Sequence, residues 1–341
     1  MSKKYIIGIE STAHTLGVGV IKVAKEGEEY GRVLVNVKDS FTTVSGGMIP
    51  NDVAKHHIQV RDSIYDKALK DSKISEADVV AVAFSASPGL APCLIEGMKF
   101  SKALAKRLDV PLIPINHCVA HLEIGRLTGA RDPVLLYASG ANTQIISFAE
   151  GKYRVFGETL DIGVGNFIDS FARHAGIGFP GGPVIDKLAQ KSEEEYIELP
   201  YSIKGMDVAF SGLLTNLNRK FDSGNYAIQD LAYSLQETVF AMLVEASERA
   251  LAHTGKKELL LGGGVGCNKR LQEMCRIMCK ERSAKFFVPP NEFLLDNGGM
   301  IGFLGEIIYR SILEGKSKFL DLKDIDINPR ERTDEVDVFW K

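Results

Sequence analysis

The chain has 341 residues, 45% hydrophobic, 25% charged and 8% aromatic. At roughly 150 residues per domain this length implies two domains, and the composition excludes collagen, coiled coil and wholesale disorder. Lysine and arginine number 41 against 44 aspartates and glutamates, a net charge of −3, so no global basic field attracts a polyanion, and any polynucleotide partner is held by a local patch or through other subunits.

Strand-like and helix-like segments alternate along the chain. Residues 5–10 and 16–23 read as strands joined by the polar turn Ser11-Thr12-Ala13-His14-Thr15, and 31–37 reads as a third strand. A helix is predicted over 51–71, a buried strand over 79–84, an amphipathic helix over 92–108, a short strand over 110–115 and a helix over 117–127. Short apolar strands separated by helices indicate α/β architecture.

The plan then restarts. Strands over 133–138, 144–148 and 153–156 repeat the three-strand meander around a second polar turn, Ser139-Gly140-Ala141-Asn142-Thr143. The strand over 258–261 ends in Gly262-Gly263-Gly264 before a helix, as 79–84 precedes Ser87-Pro88-Gly89, and 285–288 leads to a helix near Asn297. This is an internal duplication at fold level. It predicts a first lobe over 1–130 and a second lobe over 131–330, with a helical insertion over about 161–224 and a tail over 331–341. Paired strand–turn–strand hairpins in duplicated lobes resemble the RNase H-like halves of the sugar kinase/Hsp70/actin (ASKHA) superfamily. That resemblance implies a nucleotide and metal cleft between lobes, with hairpin N–H groups facing phosphates.

No apolar run reaches the roughly 18 residues that cross a bilayer, so no membrane association is expected. The opening Met1-Ser2-Lys3-Lys4-Tyr5 runs straight into a strand-like segment with no signal-peptide pattern. Cys93, Cys118, Cys267, Cys275 and Cys279 form an odd set without a paired framework, which fits a reducing, cytoplasmic location. Cys267, Cys275 and Cys279 sit at helical spacing among Leu and Met and read as buried thiols rather than a metal site.

The sharpest chemical signal is His117-Cys118-Val119-Ala120-His121. Histidines at i and i+4 share one helix face within reach of one ion; otherwise they are two ordinary helix histidines. The glutamate of a metallopeptidase H-E-x-x-H is replaced by Cys118, so a peptidase would lack its base. Asp296 stands at the duplicated strand-to-helix junction of the second lobe, and a pseudo-dyad would join it to His117 and His121 as a two-His, one-carboxylate set. Such a set leaves positions open for substrate and suits Fe(II), with Zn also fitting. Tyr137, ending the strand into the second hairpin, reads as a phenolic ligand or as a core aromatic.

The glycine runs are read as turns or as cradles for a flat ring or phosphate. Phe179-Pro180-Gly181-Gly182-Pro183 is a tight turn followed by Asp186, placed to accept from ribose hydroxyls. Gly262–Gly264 with Val265-Gly266-Cys267-Asn268 precedes another helix, and Asp169 is a further candidate ribose or metal-shell carboxylate. Glu10, at the tip of the first strand, is a candidate proton acceptor; otherwise it binds water or a hairpin N–H.

The strings G-I-E-S-T-A-H-T, H-C-V-A-H, Y-A-S-G-A-N-T-Q, E-T-L-D-I-G-V-G-N, F-P-G-G-P, G-M-D-V-A-F-S-G-L and L-D-N-G-G-M-I occur in that order. Together they closely resemble the TsaD-like tRNA N6-threonylcarbamoyladenosine transferases, nearly end to end. The tail R-T-D-E-V resembles the archaeal and eukaryotic branch, the catalytic subunit of KEOPS complexes. The resemblance implies transfer of threonylcarbamoyl from threonylcarbamoyl-AMP to N6 of the adenosine 3′ of the anticodon, in tRNAs reading ANN codons. It implies metal ligation by His117, His121 and Asp296, with Tyr137 an occasional ligand. It also implies contacts to ATP, AMP or the acyl-adenylate from Tyr137, Ala138, Ser139, Gly140, Ala141, Asp169, Gly182, Asp186 and Asn268. Ala141, Ser11 and Lys269 depart from the commonest pattern. The implied partners are tRNA, a kinase-like protein and small accessory subunits. The rival readings are an ATPase of the same superfamily, which would hold Mg²⁺ by carboxylates and water rather than two His, and a nucleotide-binding scaffold.

Overall fold

The computed structural model of the chain describes residues 4–43, 48–193 and 195–341. Met1–Lys3, on which the N-terminal expectation partly rests, lie outside the described residues. The chain divides into two compact units: the first holds residues up to Phe41, Met48–Ile124 and Leu295–Lys341, the second chiefly Gly125–Leu294.

The first unit opens with β1 (Tyr5–Glu10), β2 (Thr15–Lys22) and β3 (Arg32–Ser40), then α1 (Pro50–Ser72), β4 (Val79–Ser87), α2 (Ala91–Leu108), β5 (Leu112–Asn116) and α3 (His117–Glu123). The sheet order is β3-β2-β1-β4-β5, with β1–β2 and β2–β3 antiparallel and β1–β4 and β4–β5 parallel. The central strands are buried on both faces, which is why β2 and β4 read as nearly continuous apolar runs. Side chains alternate across the sheet, so Ile7 and Ile9 join Ile64, Tyr65 and Leu104 of α1 and α2 in one core.

The second unit comprises β6 (Val134–Ala138), β7 (Thr143–Ala149), β8 (Lys152–Glu158), α4 (Val164–His174), α5 (Gly182–Ala189), β9 (Ile203–Lys204), β10 (Asp207–Val208), α6 (Ser211–Asp222), α7 (Ile228–Thr254), β11 (Glu258–Gly262), α8 (Lys269–Glu281), β12 (Lys285–Phe287) and α9 (Asn291–Leu294). Its sheet runs β8-β7-β6-β11-β12, with the same succession of antiparallel and parallel pairs as the first. The expected insertion over 161–224 contains α4, α5, the β9–β10 hairpin and α6. It shares a core with the long α7 through Phe167, Phe171, Phe210, Leu217 and Phe240.

The expected division at 130/131 misplaces the C-terminal part. Helix α10 (Gly298–Leu313) and everything after it belong to the first unit, as does Asp296 just before it. The cause is a contact of backbones. A Cβ on Gly8 would lie 2.2 Å from the Gly298 carbonyl oxygen and from the Gly302 nitrogen. One on Gly19 would lie 2.5 Å from the Gly298 carbonyl carbon, and one on Gly305 2.4 Å from Ala83 Cβ. Glycines on β1, β2 and α10 thus let the helix lie directly on the sheet face opposite α1 and α2.

Candidate functional site

Asn116 ends β5 and caps α3, its Oδ1 accepting from Val119 N at 3.1 Å. His117 is therefore the first helical residue and His121 lies one turn on, on the same face. Their ring centroids are 4.7 Å apart at 79°. Asn297 caps α10 in the same way, accepting from Met300 N at 2.9 Å, and holds Asp296 just ahead of the helix. On β3, Asn36 accepts from Gly299 N at 3.2 Å and Lys38 Nζ approaches the Asp296 carbonyl at 3.5 Å.

These caps bring three ligand-type side chains together. Asp296 Oδ1 is 3.3 Å from His117 Nε2 and 3.5 Å from His121 Nε2, and the donor atoms of the three residues all lie within 4.8 Å of one another. Among the described residues this is the one such His/Cys/Asp/Glu group. Both imidazoles are buried, while the Asp296 side chain keeps 16% of its surface exposed. Both Asp296–imidazole spacings are close to the roughly 3.3–3.4 Å that separates neighbouring ligand atoms around one ion bound at about 2.0–2.1 Å, so these residue types and spacings fit a metal ligand set.

Glu10 stands behind the pair. Its Oε2 is 2.8 Å from His117 Nδ1, and its Oε1 accepts from Thr12 N and Thr12 Oγ1, each at 2.6 Å. The carboxyl is fully buried. Both Glu10 oxygens are thus engaged, one of them on the His117 imidazole, an arrangement that would fix its tautomer were it to ligate a metal. The first hairpin's amides are also engaged, Thr12 N by Glu10 and Ser11 N by Ser85 Oγ at 2.9 Å. Both amides thus have acceptors within the protein.

Charge at the site follows from burial and neighbours. Burial opposes a cationic His117, but the Glu10 and Asp296 carboxylates on its two nitrogens outweigh it and hold its pKa well above the usual imidazole value. For His121 burial wins over the nearby Asp296, and its pKa is lowered. Burial alone would raise Asp296; the two imidazoles pull it well below the usual carboxylate range.

In the second unit the residues expected to contact a nucleotide are linked in a closed circuit. The turn after β6 accepts the first amides of α4, Gly165 N to Ser139 O at 3.0 Å and Asn166 N to Gly140 O at 2.9 Å. Asp169 on α4 caps α5, accepting from Gly181 N at 2.8 Å and Gly182 N at 3.3 Å. Asp186 on α5 accepts from Asn268 Nδ2 at 3.0 Å, and Asn268 caps α8 through Arg270 N at 2.8 Å. Gly263, ahead of Asn268, returns to the start: a Cβ there would meet the Ala138 carbonyl at 2.4 Å. Beside Gly182 a Cβ meets no atom within 4 Å, so a flat group can approach that backbone closely. Gln236, which accepts from Asn268 Nδ2, is a member that the sequence reading missed, because one glutamine inside the 27-residue α7 carries no local signal. Tyr137 is a buried strand residue paired with Gln144 and Gly262.

Cys275 and Cys279 are buried in α8, and burial pushes the Cys279 thiol up to about 11 and Cys275 higher still. They are core thiols, as expected. Cys267 lies outside α8 and is half-buried. Among the described residues no helix is long and apolar enough to cross a membrane.

The chain is an α/β protein of two mixed-sheet units, and solved structures of similar fold are of the ASKHA type. HypF of Thermococcus kodakarensis is similar with a TM-score of 0.62 at 15% identity, over 92% of this chain and 48% of that one. An activator of 2-hydroxyisocaproyl-CoA dehydratase from Clostridium difficile, solved with bound ADPNP, gives a TM-score of 0.53 at 11% identity over 93% and 99%. At these identities the likeness concerns fold alone. The TsaD family, tRNA N6-adenosine threonylcarbamoyltransferase, matches residues 32–303. The tRNA N6-adenosine threonylcarbamoyltransferase of Thermococcus kodakarensis is 50% identical over 334 residues, 98% of this chain and 99% of that protein. A probable bifunctional tRNA threonylcarbamoyladenosine biosynthesis protein of Methanothermobacter thermautotrophicus is 49% identical over 98% of this chain, which spans 60% of that longer protein. The chain belongs to the TsaD family, and its activity is that of a tRNA N6-adenosine threonylcarbamoyltransferase.

Proposed function

We propose that this transferase takes its acyl group from threonylcarbamoyl-AMP and works around one divalent ion held by His117, His121 and Asp296. The observation that carries this reading is the convergence of those three side chains, with the Glu10 carboxylate behind His117. When bound, the ion, Fe(II) or Zn, supplies Lewis-acid polarisation of a phosphate or carbamoyl oxygen. To hold the ion, His117 would release its Nε2 proton to solvent and keep its Nδ1–H donating to Glu10 Oε2. Glu10 is therefore assigned to positioning. The adenylate is held by the second unit: backbone from Ala138 to Ala141 at its phosphate, Gly182 against its ring, and Asp186, Asn268 and Asp169 toward its ribose. Fixing the donor in this way supplies orientation before the adenosine amine attacks.

The free cysteines fit action in a reducing cytoplasm, and the tail R-T-D-E-V and the net charge of −3 support a KEOPS-like assembly with a kinase-like protein and small accessory subunits. The test is metal analysis of purified protein together with a transfer assay containing tRNA, threonine, bicarbonate, ATP and an adenylate-forming enzyme. Stoichiometric metal is expected in the wild type, and loss of both metal and transfer in His117→Ala and Asp296→Ala with the fold retained. Full activity in either variant overturns the metal reading.

A further inference from the structure

The C-terminal segment from Asn328 onward grips α3 along its whole length. It first joins the end of β4, where Asn328 N donates to Ala86 O at 2.9 Å and Gly89 N donates to Pro329 O at 3.2 Å. Glu331 Oε2 then accepts from Ser87 Oγ and from Asn116 Nδ2, the latter at 2.9 Å. Because Nδ2 is bound to a carboxylate, the Asn116 amide is fixed with Oδ1 turned to Val119 N, the orientation the α3 cap requires. Thr333, 2% exposed, shares a hydrogen bond with the Cys118 thiol. Last, Trp340 Nε1 donates to Glu123 Oε1 at 2.8 Å, where Glu123 is fully buried at the end of the helix.

A helix of seven residues has little stability of its own, so its orientation comes from what surrounds it. Dense packing does not supply all of that hold. A cavity of about 210 Å³, lined by Val119, Leu304, Ile308, Val336, Phe339 and Trp340, separates part of the tail from α3 and α10. The polar bonds at Asn116, Cys118 and Glu123 are thus the specific attachments, at the first, middle and last parts of the helix that carries both histidines.

We propose that the C-terminal segment braces the metal helix, and that Glu331 and Trp340 are positioning residues setting His117 and His121 against Asp296. The proposal rests on the metal reading and extends it to residues that touch neither metal nor substrate. It is tested on the full chain by Co²⁺ titration followed through the visible absorption of the bound ion, with circular dichroism as a check on folding. The wild type is expected to bind one Co²⁺. Glu331→Ala and Trp340→Ala are expected to bind about tenfold more weakly, the low end for outer residues around a metal, with altered band intensities. Glu331→Gln, which keeps an acceptor for Asn116, restores the wild-type spectrum. Should Trp340→Ala fail to fold, the Glu331→Ala and Glu331→Gln pair decides alone. Wild-type affinity and spectrum in Glu331→Ala overturn the brace while leaving the metal reading standing. No Co²⁺ binding by the wild type overturns the metal reading, and the brace with it.

Discussion

Glu10 Oε2 and His117 Nδ1 lie 2.8 Å apart, joining the tip of β1 to the first residue of α3 across 107 positions of sequence. Both groups are buried, and the carboxylate also holds Thr12. Glu10→Gln is therefore expected to weaken metal binding by about 10–100-fold, as loss of a carboxylate behind a ligating His does. Transfer activity falls with it and returns as metal concentration is raised. A proton acceptor would behave differently: metal affinity would stay at the wild-type value while the rate fell at every metal concentration. Metal titration of both proteins, with activity measured at each point, separates the two.

The seat of Asp296 depends on glycine. A methyl on Gly8 meets only backbone of α10, at 2.2 Å, so the helix must move away. Gly8→Ala is expected to cost about 1–3 kcal/mol or more in urea denaturation and to lower metal content by displacing Asp296. Gly27→Ala is the control. Gly27 has φ +85° and nothing within 4 Å of a Cβ, so the change costs about 1 kcal/mol of backbone strain and leaves metal content alone. Equal metal content in the two variants would show that the close contact does not hold the site.

His57 gives the fold a pH dependence. It is 1% exposed on α1, and its Nε2–H donates to Ala13 O at 2.9 Å. Burial pushes its pKa from 6.5 down to about 4, with the Ala13 bond and Glu10 opposing and His56 and His14 assisting. As pH falls through 6.5 the unfolded chain takes up this proton first, so stability declines between pH 6.5 and 4 and levels off below. The loss attributable to His57 is about 3 kcal/mol at pH 4 relative to pH 7. His57→Gln keeps a donor for Ala13 and does not titrate. Its stability, from denaturant melts at both pH values, is expected to fall by that much less; an identical decline in both proteins removes His57 as the cause.

His117 and His121 were legible as a pair because helical spacing is local. Asp296 was legible only through the duplication, which assigned it to the second lobe. The glycine surface that carries α10 onto the first sheet has no hydrophobic period, since what matters is the absence of side chains. The residues expected to meet a nucleotide were named by motif, but their circuit runs through the Asp169 cap on α5 and the Asn268–Asp186 bond, whose partners lie 12 and 82 residues apart. Glu10 was visible as a carboxylate at a strand tip. Its bond to His117 was not, because a hydrogen bond between distant residues leaves no pattern in either segment.

The basic stripe on α2 leads to the last expectation. Lys99, Lys102 and Lys106, with Arg107 beside them, form the clearest cationic feature of the sequence, yet most of it is engaged within the protein. Lys99 pairs with Glu96 at 2.7 Å and Lys102 Nζ donates to the Ile325 carbonyl at 2.5 Å. Arg107 pairs with Glu76 at 2.6 Å and lies 5.6 Å over the Tyr65 ring; Lys106 is exposed. Phosphate contacts dominate affinity for nucleic acids, each adding somewhat under one unit to the slope of log affinity against log salt. The isolated chain is therefore expected to bind tRNA weakly, with a slope no steeper than about −2, and to modify it slowly. Lys106→Glu should change its tRNA affinity by less than about threefold. If the proposed accessory subunits supply the missing cations, adding them should raise turnover and steepen the slope together. A steep slope, or rapid salt-insensitive modification, from the purified chain alone would place the tRNA surface on this chain after all.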